Sequence, residues 1–207
     1  LAPFSAEMFD RLENLRFIAV SRGGPVNIDM EAARKSNVKV VNVPGRNASA
    51  VAEFTIGAIL AETRLIRLGH ESMRKGTWRG DLYRADVTGK ELSQMTVGLI
   101  GYGHIGTRVV KLLHPFGCQI LVCDPYVELS EEDKENDVQQ VDLDSLLNKS
   151  DVVSLHSRVT EETTGFINRE AFQHIYTFRH RAYQSRELYH QLIRSALQVC
   201  QLHRQDP

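Results

Sequence analysis

Residues 96–126 read TVGLIGYGHIGTRVVKLLHPFGCQILVCDPY, an apolar run followed by three glycines, a helix-like stretch and a second apolar run that ends in an acid. TVGLI predicts a short buried strand, and CQILVCD predicts a second strand of the same continuous apolar type. Between them, apolar side chains recur on one predicted helix face: Ile105, Val109, Leu112 and Leu113. Two strands joined through a helix run parallel with a right-handed crossover, so this stretch predicts the first half of a nucleotide-binding sheet.

The three glycines form the pattern G-x-G-x-x-G, and each of them has a physical role in the dinucleotide-binding fingerprint. Gly101 makes the turn, Gly103 lets the backbone approach a diphosphate without an intervening Cβ, and Gly106 lets the helix lie close to the strand. The backbone N–H groups of Gly103, His104 and Ile105, at the positive end of the helix dipole, would meet the phosphates. The pattern alone is weak evidence, but its place between a predicted strand and a predicted helix meets the requirement of the fingerprint.

Asp124 ends the second strand, about twenty residues beyond the first glycine. In the fingerprint an acid at this place accepts hydrogen bonds from the adenosine ribose hydroxyls. No Arg or Lys stands between this acid and Lys134 to meet a 2′-phosphate, so NAD is favoured over NADP. The alternative is that Asp124 is a helix cap or a turn former ahead of Pro125.

Composition limits the class of protein. The chain has 207 residues, 42% hydrophobic and 25% charged, which suits one large domain or two small ones. A formal charge of -1 gives no overall attraction to nucleic acid or to an anionic membrane. The three cysteines lack metal-type spacing, and neither a signal peptide nor a run of about 18 apolar residues is seen. We therefore expect a cytoplasmic protein with reduced thiols, without metal, nucleic-acid or membrane partners.

The first part of the chain predicts a β-turn-α-β unit. RFIAVSRGGPVNID indicates a strand over 17–20 and a turn in which Gly23 and Gly24 supply the positive φ. A helix over about 29–35 and a strand within VKVVNV follow.

One long helix is then predicted over 47–76, capped by Asn47 or Ser49 and ended by Gly76. Its predicted apolar face consists of Val51, Phe54, Ala58, Ile59, Leu65 and Ile66. The next segment, TWRGDLYRADVTGKELSQM, has turn residues and little periodicity, so it should cross the surface, with Trp78 and Tyr83 packed there.

After the second strand of the sheet, VELSEEDKEND is interpreted as a solvated acidic loop or helix face. DLDSLLNKS predicts a short helix and DVVSLH the third strand, so the sheet is expected to have about three parallel strands. Thr160 with Thr163, and Asn168 ahead of Ala171, are predicted to cap the following turns or helices. His156, at the strand end, is interpreted as a structural histidine.

Three blocks in this order resemble the D-isomer-specific 2-hydroxyacid dehydrogenases, with the 3-phosphoglycerate dehydrogenase branch among the closest: NVPGRNASAVAEFTIGAIL, GKELSQMTVGLIGYGHIGTRVVKLLHPFGCQILVCDPY and DVVSLHSRVTEETTGFINREAF. The resemblance covers roughly residues 10–175. It implies an α/β fold in which an incomplete Rossmann-type parallel sheet is joined to part of a flavodoxin-like substrate domain. Residues 1–76 are then part of the substrate domain with the linking helix, 77–175 the NAD-binding domain and 176–207 an atypical tail.

The resemblance also implies site residues in a cleft between the domains. Cofactor contacts fall on five positions: Thr55, His104, Ile105, Asp124 and Ser157. The turn SRGG matches the loop whose N–H groups hold a substrate carboxylate, which implies substrate contacts at Arg22, Gly23 and Gly24. For Arg22 a solvated turn residue is the alternative. The usual Pro after the third strand is replaced by Arg158.

Family chemistry also needs an Arg, a His and an acid that raises the pKa of the His, and all three lie downstream of the point where the match ends. Residues 176–207 instead contain no Gly and no Lys, yet five Arg, five Gln and three His, without ligand spacing. We therefore expect no catalytic residue in this chain and a solvated or disordered tail. The resemblance implies NAD-dependent oxidation of the CH-OH group of a small 2-hydroxy acid to a 2-keto acid, by a homodimer when intact. The alternative is a noncatalytic NAD-responsive binding module, similar to the co-repressor branch of the family.

Overall fold

The computed structural model describes residues 3–158, 160, 162–168 and 171, so the expectations for the tail lie outside the described residues. The helices are α1 (Ala6–Arg11), α2 (Met30–Lys35), α3 (Ala48–Thr63), α4 (Ile66–Arg74), α5 (Ala85–Thr88), α6 (Gly106–Leu113), α7 (Glu131–Glu135) and α8 (Leu143–Lys149). The strands are β1 (Phe17–Val20), β2 (Lys39–Asn42), β3 (Thr96–Ile100), β4 (Gln119–Cys123), β5 (Gln139–Gln140) and β6 (Val152–Leu155). Short 3-10 turns cover Leu92–Gln94 and His114–Phe116.

The first body is the predicted β-turn-α-β unit. β1 and β2 pair in parallel, with Phe17 opposite Lys39, and α2 begins after Asp29, whose carboxylate accepts a hydrogen bond from the Ala32 N–H at 2.9 Å. A small apolar core lies beneath the pair: Phe9, Ala33 and Val38. One detail of the prediction was wrong, because neither Gly23 nor Gly24 has a positive φ.

The long helix predicted over 47–76 is two helices. α3 ends at Thr63, and Leu65 adopts the left-handed conformation with φ 53° before α4 begins. Asn47 is at the N-cap, although its side chain makes no capping hydrogen bond, and Gly76 follows α4 with φ 72° as predicted.

The apolar face predicted for this helix was also wrong in part. The buried residues of α3 are Ala48, Ala52, Thr55 and Ile59, whereas the Phe54 side chain is 76% exposed. α3 is apolar nearly all round, so periodicity could not select the face that packs against α6. Three of the four buried residues of α3 are small, and small side chains let two packed helices approach closely.

The crossing segment after α4 also differs from its prediction. Trp78 is 80% and Tyr83 86% exposed, so neither packs there. The segment is instead shaped by two local ion pairs, Arg79 with Asp81 and Arg84 with Asp86, each joined by two hydrogen bonds. Its Leu82 side chain lies against α4 at Gly69.

The second body is a parallel sheet in the order β5-β4-β3-β6. Val97 in the central strand β3 pairs with Ile120 of β4 and Val152 of β6. Three of these strands were predicted, and the two-residue strand β5 is an addition that short, polar QQ did not signal.

Helices cover both faces of this sheet. On one face α6 buries Val109, Val110 and Leu113 against the strands, while Leu112 of the predicted helix face is 40% exposed. On the other face Leu146 and Leu147 of α8 pack on Ile100 and Leu121. α8 comes so close that a Cβ at Gly98 would lie 2.3 Å from the Ser150 Oγ.

Within the part of the chain that the structure describes, no helix combines the length and the apolar character needed to cross a membrane.

Candidate nucleotide site

The glycine-rich turn begins where three parallel strands end. Gly101 has φ 99°, a conformation that favours glycine, and its N–H donates to the Cys123 carbonyl at 2.9 Å. A Cβ on Gly101 would lie 2.7 Å from the Ser157 N and 2.8 Å from the His156 C. Gly101 is therefore required both for the turn and for the close approach of the segment after β6.

The other two glycines of the fingerprint differ from each other. A Cβ on Gly106 would lie 2.2 Å from the carbonyl oxygen of Gly101, which directly follows β3, so this glycine lets α6 lie close to the end of the strand. Around Gly103 nothing lies within 4 Å of the Cβ position. The Cβ position of Gly103 thus faces open space, two residues before Ile105, which is the N-cap of α6.

Asp124 connects the glycine-rich turn to the end of β4. Its Oδ2 accepts a hydrogen bond from the Tyr102 N–H at 2.8 Å, and its Oδ1 accepts one from the Tyr126 N–H at 2.9 Å. The structure thus gives Asp124 the turn-forming role that was the alternative at the sequence level. Each carboxylate oxygen has a further lone pair, so ribose binding remains compatible with this role.

His104 connects the glycine-rich turn to the first body. A Cβ on Gly45 would lie 3.0 to 3.3 Å from three atoms of the His104 ring, and Gly45 itself has φ 75°. Gly45 was missed from the sequence, where only the PG dipeptide after β2 could have marked it. This contact brings the loop between β2 and α3 beside the nucleotide site.

Thr55 and Ser157 were predicted as cofactor contacts. Thr55 is buried in α3 and donates its hydroxyl to the Val51 carbonyl at 2.8 Å. Ser157 is half-buried beside Gly101. Neither contact with a cofactor is tested by the structure, and both stay predictions.

The predicted substrate turn follows β1. The Arg22 N–H donates to the Val20 carbonyl at 2.8 Å, and the Arg22 carbonyl accepts from the Val43 N–H at 2.9 Å. Within the described residues the N–H groups of Gly23 and Gly24 make no hydrogen bond. The two glycine N–H groups are therefore without a hydrogen-bond partner in the described residues, whereas the Arg22 N–H already donates to Val20.

His156 has the structural role that its position indicated. Its Nε2 lies 2.9 Å from the Ser154 Oγ, and burial lowers the pKa of the imidazole below its ordinary value. Burial thus favours the neutral form of the ring, and Ser154 provides a hydrogen-bond partner for Nε2.

One acid of the predicted solvated run is buried, which corrects that interpretation. Asp133 of α7 is 1% exposed and accepts hydrogen bonds from Tyr102, Ser130 and His114. The acidic composition of the segment gave no indication that Asp133 is buried. The spacing of Ser130 and Asp133, which is typical of a helix start, was the pattern in the sequence that marked this position.

A glycine-rich turn between a parallel strand and a helix, with an acid at the end of the neighbouring strand, defines a dinucleotide-binding protein of the Rossmann class. Comparisons with known proteins narrow this class. Residues 56–177 match the family model for the NAD binding domain of D-isomer specific 2-hydroxyacid dehydrogenases.

Sequence relatives agree with the family model. The chain is 38% identical over 167 residues to the hydroxypyruvate reductase of Thermotoga maritima. This alignment covers 81% of this chain and 52% of the relative. It is 36% identical over 168 residues to the D-3-phosphoglycerate dehydrogenase of Archaeoglobus fulgidus, covering 81% of this chain and 31% of the relative.

The D-lactate dehydrogenase of Aquifex aeolicus, solved with NAD and lactic acid, matches with a TM-score of 0.72 and 32% identity over 83% of this chain and 50% of that one. The chain belongs to the D-isomer-specific 2-hydroxyacid dehydrogenase family, and NAD is the cofactor of its matched domain. It spans about half the length of the first relatives that it matches.

Proposed function

We propose that this chain binds NAD at the glycine-rich turn and provides the cofactor part of an oxidoreductase acting on the CH-OH group of a 2-hydroxy acid. The observation that carries the proposal is the open space at Gly103, at the start of α6 and beside a turn held by Asp124. Backbone N–H groups at a helix N-terminus attract phosphate, and a missing Cβ lets a diphosphate reach them.

The cofactor contacts are proposed at the residues that the resemblance implied. The N–H groups of His104 and Ile105 receive the diphosphate, and Asp124 receives the ribose hydroxyls. Thr55 and Ser157 flank the cofactor from α3 and from the segment after β6. Because Asp124 would repel a 2′-phosphate, NAD binds in preference to NADP.

The domain boundaries follow from the same proposal. Residues 1–76 form part of the substrate domain with the linking helix, 77–175 the incomplete NAD-binding domain and 176–207 an atypical tail. A carboxylate of a 2-hydroxy or 2-keto acid binds at the turn of Arg22, Gly23 and Gly24, where two glycine N–H groups make no hydrogen bond within the described residues. The contact between Gly45 and His104 supports a substrate site beside the cofactor.

The catalytic Arg, acid and His of the family have no counterpart that we assign in this chain. A second candidate function is a noncatalytic NAD-responsive binding module, which the expected lack of a catalytic Arg, acid and His in this chain permits. Both candidates need NAD binding, and only the first needs hydride transfer.

One experiment separates the two candidates. The chain is mixed with NAD and a panel of 2-hydroxy acids, and the near-ultraviolet absorbance of NADH is followed while calorimetry measures NAD binding. Production of NADH supports the enzyme, whereas heat of NAD binding without NADH from any acid supports the binding module. The absence of any heat with NAD or NADH contradicts both.

We also propose a homodimer in the cytoplasm. Large apolar side chains are exposed along α3, α4 and the loop that follows: Phe54, Ile66, Met73, Trp78 and Tyr83. Aromatic side chains in such positions are typical of protein interfaces. Cys118 and Cys123 are free thiols, as a reducing compartment would keep them.

A further inference from the structure

A buried carboxylate joins three segments of the NAD-binding domain. The Oδ2 atom of Asp133 accepts hydrogen bonds from the Tyr102 hydroxyl and from the Ser130 Oγ at 2.8 Å. Its Oδ1 atom lies 3.0 Å from the His114 Nε2. Because an ionised carboxylate only accepts hydrogen bonds, the His114 ring must carry a proton on Nε2.

One of these partners, Tyr102, belongs to the proposed nucleotide site. Tyr102 stands between Gly101 and Gly103, and its main-chain N–H donates to Asp124. One residue of the glycine-rich turn therefore binds Asp124 through its backbone and Asp133 through its side chain.

The third partner, His114, directly follows α6, whose other end starts at the glycine-rich turn. The Asp133 carboxylate is thus hydrogen-bonded both to the glycine-rich turn and to the C-terminal end of α6.

The pKa directions of Asp133 and Tyr102 agree with the hydrogen-bond geometry of the cluster. Burial raises the pKa of Asp133, but hydrogen bonds from Tyr102, Ser130 and His114 outweigh burial and hold that pKa below its ordinary value. Burial and the bond to Asp133 raise the pKa of Tyr102, so the phenol keeps the proton that it donates. A buried charge is a poor source of stability, whereas a fully satisfied polar network holds its members in one arrangement.

We propose that Asp133 is a positioning residue for NAD, which holds Tyr102 and His114 so that the glycine-rich turn keeps the shape that receives the diphosphate. The inference rests on the proposed NAD binding described above. Its physical basis is preorganisation, since a turn that is already fixed loses less entropy when the ligand binds.

The test is a calorimetric NAD titration of the whole chain and three variants. Tyr102→Phe removes one donor to Asp133 and is expected to weaken NAD affinity about five- to tenfold. Ile120→Val removes one methylene from the same apolar core at a comparable cost in stability, and its NAD affinity should stay within about twofold of the wild type.

Asp133→Asn tests geometry apart from charge. The amide oxygen can accept from Tyr102 and Ser130, and the amide NH₂ can donate to His114 in its other tautomer. The NAD affinity of this variant should therefore stay within about threefold of the wild type, although its stability falls. Titration with ADP, which carries the diphosphate without nicotinamide, should show the same order of affinities.

The outcomes separate the two claims. If the wild type binds NAD and Tyr102→Phe binds it equally well, the positioning role is overturned alone. An equal loss in Ile120→Val also overturns it, because affinity would then follow stability. A loss with NAD that is absent with ADP overturns it as well, and a wild type that binds no NAD overturns the proposed function together with this inference.

Discussion

At the scale of single residues, the glycines of one motif face different surroundings. A side chain at Gly106 would meet the backbone oxygen of Gly101 at 2.2 Å, whereas a side chain at Gly103 would meet nothing within 4 Å. Gly106 is therefore needed for folding. Gly103 is needed only if a ligand occupies the open space.

Gly106→Ala should lower the free energy of unfolding by about 1–3 kcal/mol, because the new methyl group forces α6 away from the turn. Urea unfolding measures this loss. Gly57→Ala, on an exposed and open position of α3, is the matched control and should raise stability by about 0.5–1 kcal/mol. Equal stability of Gly106→Ala and the wild type would contradict the close packing.

The sequence predicted these glycine roles because the fingerprint restricts each position chemically. It could not predict the role of Tyr102, since the fingerprint places no restriction on the residue between the first two glycines. It also left two roles open for Asp124, and the structure shows that turn formation and ligand binding are compatible in one carboxylate. Gly45 was missed because its partner His104 is 59 residues away in the chain.

At the scale of elements, α7 shows how composition can mislead. Its acids are exposed except for Asp133, which points inward because Tyr102 and His114 donate to it from neighbouring segments. Charge density in a sequence predicts an exposed face, and only tertiary partners decide which acid is buried. The composition of α3 was misleading in the opposite way. Nearly every position of this helix is apolar, so the sequence could not show which side chains are buried, and most of the buried ones are small.

Acid should destabilise this element through Asp133. Because the folded-state pKa of Asp133 is depressed, its contribution is present at neutral pH and is lost as the pH falls below the ordinary carboxyl pKa of about 3.9. The titratable groups that face it are Tyr102 and His114.

In urea unfolding at a series of pH values, the wild type should exceed Asp133→Asn by about 1–3 kcal/mol at neutral pH, with the difference closing in acid. Asp10→Asn, at an exposed position of α1, serves as the control and should keep the pH profile of the wild type. A constant difference between wild type and Asp133→Asn across the acid range would contradict the pKa direction.

The end of α7 has a Schellman motif. The Val138 N–H donates to the Asp133 carbonyl at 3.0 Å and the Asp137 N–H to the Lys134 carbonyl at 3.2 Å, with Asp137 at φ 60°. Glycine is the residue that this conformation favours, and Asp is present instead.

Asp137→Gly should therefore raise the free energy of unfolding by about 0.5–1 kcal/mol, because it relieves the left-handed strain. The same substitution two residues earlier, Glu135→Gly, lies inside the helix and should lower it by about 1 kcal/mol. Thermal unfolding of both variants provides the comparison. If both changes destabilise equally, the left-handed position of Asp137 is contradicted.

At the scale of the whole molecule, two parallel β-α-β bodies meet where the loop after β2 contacts the glycine-rich turn. Five of the six strands in the described residues were predicted, because buried parallel strands are continuous apolar runs that glycine and proline interrupt. The helices α2, α6 and α8 were also predicted, whereas α1 and α5 were not. The break at Leu65, the two-residue strand β5 and the exposure of Trp78 were not. These features depend on packing between segments that are distant in the chain, for which local periodicity carries no signal.

Exposed aromatic side chains predict association of the whole molecule. Light scattering should show a dimer for the wild type and a shift toward monomer for Trp78→Ser with Tyr83→Ser, since burial of these rings would stabilise the interface. Tyr126→Ser, at another exposed tyrosine beside Asp124, is the control and should stay dimeric. A wild type that is monomeric at every concentration would contradict this surface as an interface.

The central claim is that the open backbone at the glycine-rich turn receives the diphosphate of NAD, and a calorimetric titration of Gly103→Val tests it most directly. The position is exposed, without neighbours within 4 Å and without a positive φ, so the variant should unfold in urea like the wild type. Its side chain would fill the diphosphate space and weaken NAD binding about tenfold or more, while Gly57→Ala binds as the wild type does. Equal NAD affinity of a folded Gly103→Val and the wild type would contradict the account.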